Sequence, residues 1–170
     1  MHRLSPEEVE ITVQPANGAM NAQELELFKE SFVKSYLNTD SSVTDLYKLW
    51  SERDPKYFAK IPLYGVRCLR QDPWECTLSF ICSQNNNIKR ITQLVRTLRN
   101  TYGKPICKTM IDNEDTMLHS FPSFEDFRTN VTEAKLRQLG FGYRAPYIEK
   151  SVKIIHQNGG EKWLNELRGK

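Results

Sequence analysis

From Asn21 onward the apolar positions of this chain recur three and four residues apart, the period of helices packed on one face. Before that point the pattern differs. In "EEVEITVQPANG", Val9, Ile11 and Val13 alternate with polar residues, and Pro15 to Gly18 supply turn chemistry, which predicts one strand. No second convincing strand is predicted anywhere. A lone strand leaves its backbone donors and acceptors unpaired, so it is expected to belong to a sheet mostly absent from these 170 residues.

The helical region starts with Asn21 and Glu24 as a cap pair and with Leu25, Phe28, Phe32 and Tyr36 on one face. A short helix from about Ser42 to Trp50 follows, with Ser42 and Asp45 at capping spacing. "DPWE" at 72–75 is the clearest start signal. Asp72 can accept from the first amides, Pro73 suits the first turn, and Glu75 is expected to reach back. The helix it opens carries Trp74, Cys76, Leu78, Phe80, Ile81 and Cys82 around nearly its whole circumference, which predicts a buried central helix. In the next, about Ile88 to Tyr102, the period turns Ile88, Ile91, Val95, Leu98 and Tyr102 inward and leaves Lys89, Arg90, Arg96 and Arg99 outward, until Gly103 and Pro105 end it. Further helices are predicted near Ser123–Phe127, Thr132–Leu139, Ala145–Gln157 and Glu161–Leu167. The expected architecture is mainly α, all-helical apart from the first strand.

Composition narrows the class. Hydrophobic residues make up 39% and charged residues 26%, which is ordinary globular usage. No apolar run is long enough to span a bilayer and no secretory signal opens the chain, so a soluble intracellular protein with no membrane partner is expected. Cys68, Cys76, Cys82 and Cys107 show no paired metal-ligand spacing, and only His2, His119 and His156 could complement them, so no metal site is expected. Net charge is +3, too small by itself to indicate a partner.

Two stretches carry candidate chemistry. "SQNNNIKR", residues 83–90, sets three asparagines between an apolar helix and a basic one; "LGFGYRAPY", residues 139–147, sets Tyr143 and Arg144 at the entry to another helix. The plain reading makes the first a turn whose amides cap two helices and the second a glycine C-cap with one exposed aromatic. A phosphate-binding GxG hairpin is a weaker reading of the second. Together the stretches suit a protein that opens a duplex. The aromatic ring fills the vacated stack, while Arg90, Arg144 and the Asn85 amide meet the acceptors and the amino donor of a cytosine stripped of its partner.

"DPWECTLSFICSQNNNIKRI" and "LRQLGFGYRAPYI", with "HSFPSFEDF" between them, resemble the eukaryotic 8-oxoguanine DNA glycosylases of the helix-hairpin-helix superfamily. The resemblance covers roughly Asn21 to Leu167, and the asparagine motif is its most specific part. It implies that Asn85 binds the estranged cytosine, that Arg90 and Arg144 are its arginine partners, and that Tyr143 is the wedge beside it. Asn86 and Asn87 are expected to be structural. Gln84 stands where the family often has serine, and Pro146 where it often has a basic residue.

The family's catalytic lysine and helper aspartate lie in and just after a helix-hairpin-helix of L-P-G-V-G-x-K-V-A-D type, expected C-terminal to Lys170, so no catalytic residue is assigned within the chain. The resemblance implies an incomplete helical glycosylase-type domain, with residues 1–20 a remnant of an amino-terminal sheet domain and 21–170 the central helical domain. It also implies base-excision repair: the full enzyme flips and excises 8-oxoguanine opposite cytosine, with β-elimination lyase activity and no cofactor. The expected partner is duplex DNA holding that pair, bound by a monomer in the nucleus, with the mitochondrion as a second compartment. The chain alone is expected to be inactive and marginally stable. A noncatalytic DNA-binding module and a helical interaction protein stay open as alternatives.

Overall fold

A computed structural model of the chain describes residues 2–3, 9–10, 20–58, 60–61, 65–111 and 114–169. The chain divides into two compact units, Met1–Gln71 and Asp72–Lys170.

In the first unit, β1 (His2–Arg3) pairs antiparallel with β2 (Val9–Glu10), His2 lying opposite Glu10. The expected strand is thus present at Val9 with a partner, and is not alone; Ile11 and Val13 lie outside the described residues. Helix α1 (Ala22–Phe28) starts with the capping box read from the sequence: Asn21 Oδ1 accepts from the Glu24 amide at 2.9 Å, and Glu24 accepts from the Asn21 amide at 3.1 Å. It continues through a π-helical segment, Lys29–Val33, into α2 (Lys34–Leu37), where Asn38 at φ 53° turns the chain out. Phe28, Phe32 and Tyr36 stack along this helix with centroids 5.0 and 5.2 Å apart. Then α3 (Val43–Arg53), capped by Ser42, leads into α4 (Pro55–Phe58). The returning segment is tied by Arg67, which donates to the carbonyls of Asn38 and Ser41 at 2.8 and 2.9 Å.

The second unit is built around α5 (Pro73–Ser83), capped by Asp72, which accepts from the Glu75 amide at 2.8 Å. Leu78 and Cys82 are fully buried and Trp74 nearly so. Trp74 packs edge-on against Phe124 and Phe127 and donates its indole N–H to the Pro122 carbonyl at 3.0 Å, so its one polar atom is satisfied inside the core. Two expectations for this helix change. Phe80 is 69% exposed, so the apolar circumference is not wholly buried. Glu75 does not reach back to its own helix start but crosses to Arg99, an ion pair between α5 and α6 (Ile88–Tyr102). Charge attraction between facing helices outcompetes the local cap, and Arg99 is not free on the outer face.

On α6 the buried residues are Leu94 and Leu98, with Ile91, Val95 and Tyr102 partly buried against them. Ile88 points out, at 82% exposure, because it sits in the first turn beyond the edge of the facing helices. The unit closes with α7 (Phe124–Asn130), α8 (Glu133–Gln138), α9 (Arg144–Gln157) and α10 (Glu161–Glu166), ending in a 3-10 turn, Leu167–Gly169. Ser123 and Thr132 cap α7 and α8.

Between α6 and α7 lies an element the sequence did not reveal, a hairpin of β3 (Pro105–Ile111) and β4 (Glu114–His119), antiparallel with an irregularity between Pro105 and Cys107. Its strands lack clean alternation, since Ile106, Met110, Met117 and Leu118 all stay exposed, and an open ribbon has no buried face to impose a period of two. Gly103 makes its return possible. A Cβ there would stand 2.0 Å from the Ser120 carbonyl oxygen and 2.6 Å from that of Arg99.

Candidate nucleic-acid interface

The joint between α5 and α6 is four residues of distinct work. Asn86 donates from Nδ2 to the Cys82 carbonyl at 3.0 Å and accepts the Asn87 amide at 3.0 Å, so it closes the end of α5 and shapes the step after it. Asn87 is the N-cap of α6, its Oδ1 accepting from the Arg90 amide at 2.9 Å. Asn85 differs. Its backbone is left-handed, φ 45°, a conformation that asparagine tolerates better than most residues. Among the described residues its side-chain amide makes no hydrogen bond, and it is exposed.

The second loop is fixed by apolar burial. Phe141 is fully buried and anchors the turn between α8 and α9, a role that the sequence reading gave to no residue. Gly140, at φ +85°, ends α8 in the left-handed region. Beyond Phe141 the chain enters α9 at Arg144, with Pro146 inside its first turn, where no intrahelical amide is required.

The two loops then hold each other. Tyr143 donates its hydroxyl to the Gln84 carbonyl at 2.8 Å, and Arg144 Nη2 donates to the same oxygen at 2.5 Å and to the Asn85 carbonyl at 3.3 Å. In the other direction, Arg90 Nη2 donates to the Gly140 carbonyl at 2.8 Å while Nη1 donates to Gln93 Oε1 at 2.7 Å. All four candidate residues therefore meet at one place, although Asn85 and Tyr143 are far apart in sequence. Gln84 contributes through its backbone oxygen.

Arg144 is the unusual member. It is only 8% exposed, its guanidinium carbon stands 4.5 Å from the Tyr143 ring centroid, and its Nε is buried without a partner. One buried guanidinium N–H left without an acceptor is costly, and it leaves Arg144 with a donor that no group among the described residues uses. Beneath it, burial pushes the Cys82 thiol up to about 11, with the Arg144 charge pulling the other way. That thiol stays protonated and serves as packing. Tyr143 remains 46% exposed, with Tyr147 edge-on at 6.4 Å, so aromatic surface faces solvent beside the joint.

A metal would find no set of three or more His, Cys, Asp and Glu side chains among the described residues. Nor does a lysine among them sit in a desolvated pocket; Lys29 is half-buried and the others are exposed. No helix among the described residues is long and apolar enough to cross a membrane.

Comparison with known proteins bears on the family and the fold. The model described as 8-oxoguanine DNA glycosylase, N-terminal domain, matches residues 3–77, and that of the HhH-GPD superfamily base excision DNA repair protein matches residues 78–167. The N-glycosylase/DNA lyase of Saccharomyces cerevisiae is 44% identical over 129 residues, 75% of this chain and 33% of the relative. The N-glycosylase/DNA lyase OGG1 of Arabidopsis thaliana is 39% identical over 137 residues, 78% of this chain and 36% of the relative. The chain thus spans about a third of the length of these curated relatives. Among solved structures, the Clostridium acetobutylicum 8-oxoguanine glycosylase/lyase in complex with double-stranded DNA containing cytosine opposite 8-oxoG superposes with a TM-score of 0.60 at 25% identity, covering 78% of this chain and 44% of that one. The same enzyme in its apo form gives 0.62 at 25% identity over 78% of this chain and 45% of that one. This chain belongs to the 8-oxoguanine DNA glycosylases of the HhH-GPD superfamily.

Proposed function

We propose that this chain carries the part of an 8-oxoguanine glycosylase/lyase that reads the cytosine left behind when the oxidised purine is flipped out. The observation that carries the reading is the braced joint itself. Arg144 is buried there with an unpartnered Nε, the Asn85 amide stands on a left-handed backbone with no partner among the described residues, and Arg90 is tied across to the second loop. Guanidinium groups supply donors to cytosine O2 and N3, and an amide oxygen accepts from the N4 amino group. Tyr143, half exposed at the helix entry, is the wedge that fills the gap in the stack.

Base excision by a Schiff base needs a lysine whose pKa is lowered by burial or a neighbouring cation. Among the described residues the lysines are exposed or, at Lys29, half-buried, and offer no such setting. The proposed division of labour therefore gives these residues duplex opening and orphan-base recognition, and assigns the chemistry of excision to sequence matching the family's helix-hairpin-helix lysine.

Binding to four duplexes that differ only in the base opposite an abasic-site analogue tests the reading. A preference for cytosine that Arg90→Ala abolishes is expected. Equal losses opposite all four bases would reduce Arg90 to a phosphate contact and overturn the base-reading role, leaving a noncatalytic DNA-binding module; salt-independent or absent binding would favour a helical interaction protein.

A further inference from the structure

We propose that Gln93 is a positioning residue for Arg90 and thereby sets how strongly the protein discriminates cytosine from other orphan bases; the inference rests on Arg90 reading the base. Gln93 lies on the exposed side of α6, three residues after Arg90, and its Oε1 accepts from Arg90 Nη1 at 2.7 Å. The Gly140 carbonyl accepts from Nη2 at 2.8 Å on the other side. A planar guanidinium held at both terminal nitrogens by two oxygens on different elements has lost its rotation about the side-chain axis, and its remaining N–H groups present a fixed edge.

Neither anchor suffices alone. The Gly140 carbonyl constrains one nitrogen and leaves the group free to swing about that contact, whereas a second acceptor on α6 fixes the plane relative to the helix that begins at Asn87. Gln93 itself is exposed and contributes to no buried cluster, so its contact with Arg90 is not a by-product of core packing. Ordering a long side chain at the moment of binding is costly, and a protein that orders it beforehand recovers that cost as affinity for the ligand which uses it. Only cytosine uses the Arg90 edge, so the gain is confined to cytosine.

The test is a competition assay of this chain against the four abasic-analogue duplexes, with Gln93→Ala, Gln93→Glu and Arg90→Ala beside the wild type. Gln93→Ala is expected to lower the cytosine preference by about two- to twelve-fold, the effect of leaving one rotamer-rich side chain unordered. Affinity opposite the other bases and the thermal midpoint should stay unchanged. Gln93→Glu keeps the acceptor, so it should preserve the preference while weakening all four duplexes alike through its charge. If Arg90→Ala erases the preference but Gln93→Ala leaves it intact or raises it, the positioning role is overturned and base reading stands. If Arg90→Ala leaves the preference intact, or the wild type shows none, base reading fails and the Gln93 role fails with it.

Discussion

Arg90 Nη2 lies 2.8 Å from the carbonyl oxygen of Gly140, fifty residues further along the chain. A Cβ on Gly140 would come within 3.1 Å of that same nitrogen, and the backbone there is left-handed at φ +85°. Gly140→Ala therefore combines a backbone penalty of about 1–2 kcal/mol with displacement of the arginine. The expected outcome is a lower denaturation midpoint together with a reduced cytosine preference. Loss of stability with the preference unchanged would show that Arg90 does not depend on this contact.

The three asparagines should separate by phenotype. Asn87→Ala removes an N-cap and is expected to cost about 1 kcal/mol, and Asn86→Ala, which strips two partners, at least as much. Asn85→Gly relieves a left-handed residue and should leave stability unchanged or slightly raised while removing the amide. Opposite-base binding should then fall for Asn85→Gly alone. Urea unfolding and the four-duplex assay give both readings.

Incubation of this chain with a duplex containing 8-oxoguanine opposite cytosine should leave the strand uncut and yield no adduct on borohydride reduction. A Schiff-base nucleophile needs a shaped, desolvated pocket, and among the described residues the lysines stand exposed or, at Lys29, half-buried, with no such pocket around them. An adduct mapped by mass spectrometry to any lysine of these residues would overturn the proposed division of labour.

Alkaline pH should destabilise the second unit. Burial raises the Cys82 thiol to about 11 from its ordinary 9.0, and burial also raises the Tyr102 hydroxyl. Because each folded pKa lies above its unfolded value, the stability is complete below the unfolded values and is lost as pH rises through the folded ones. For Cys82 the window is about pH 9 to 11 and the loss about 2–3 kcal/mol. Thermal midpoints across that window check it, and the exposed Cys68 should react with an alkylating reagent at pH 8 while Cys82 does not.

Phe141→Ala should cost about 3–5 kcal/mol, since a fully buried ring is deleted from the loop that presents Tyr143 and Arg144. Calorimetry of the variant checks the magnitude; a change under about 1 kcal/mol would mean that the loop is held by its hydrogen bonds alone.

Much of this molecule was written locally. Helix starts at Asn21, Ser42, Asp72, Asn87, Ser123 and Thr132 are short-range events, a side-chain oxygen meeting an amide two or three residues on, and such pairs are legible as text. The residues alone said that some amides of the asparagine joint cap helix ends; the family motif marked Asn86 and Asn87 as structural and Asn85, Arg90, Tyr143 and Arg144 as candidates. What tertiary structure decided was every relationship between elements. Periodicity turned Ile88 inward, but only the reach of the facing helices determines where an apolar face stops being covered, and Ile88 lies outside it. Spacing offered Glu75 to its own helix, yet the approach of α6 brought Arg99 nearer and a charged partner won. The β3–β4 hairpin escaped notice because an exposed ribbon owes its pairing to the chain's return past Gly103, not to a pattern of buried side chains. The brace at the joint is the extreme case: Arg90 to Gly140, and Tyr143 and Arg144 to Gln84, use backbone carbonyls, which every residue carries and no sequence can single out.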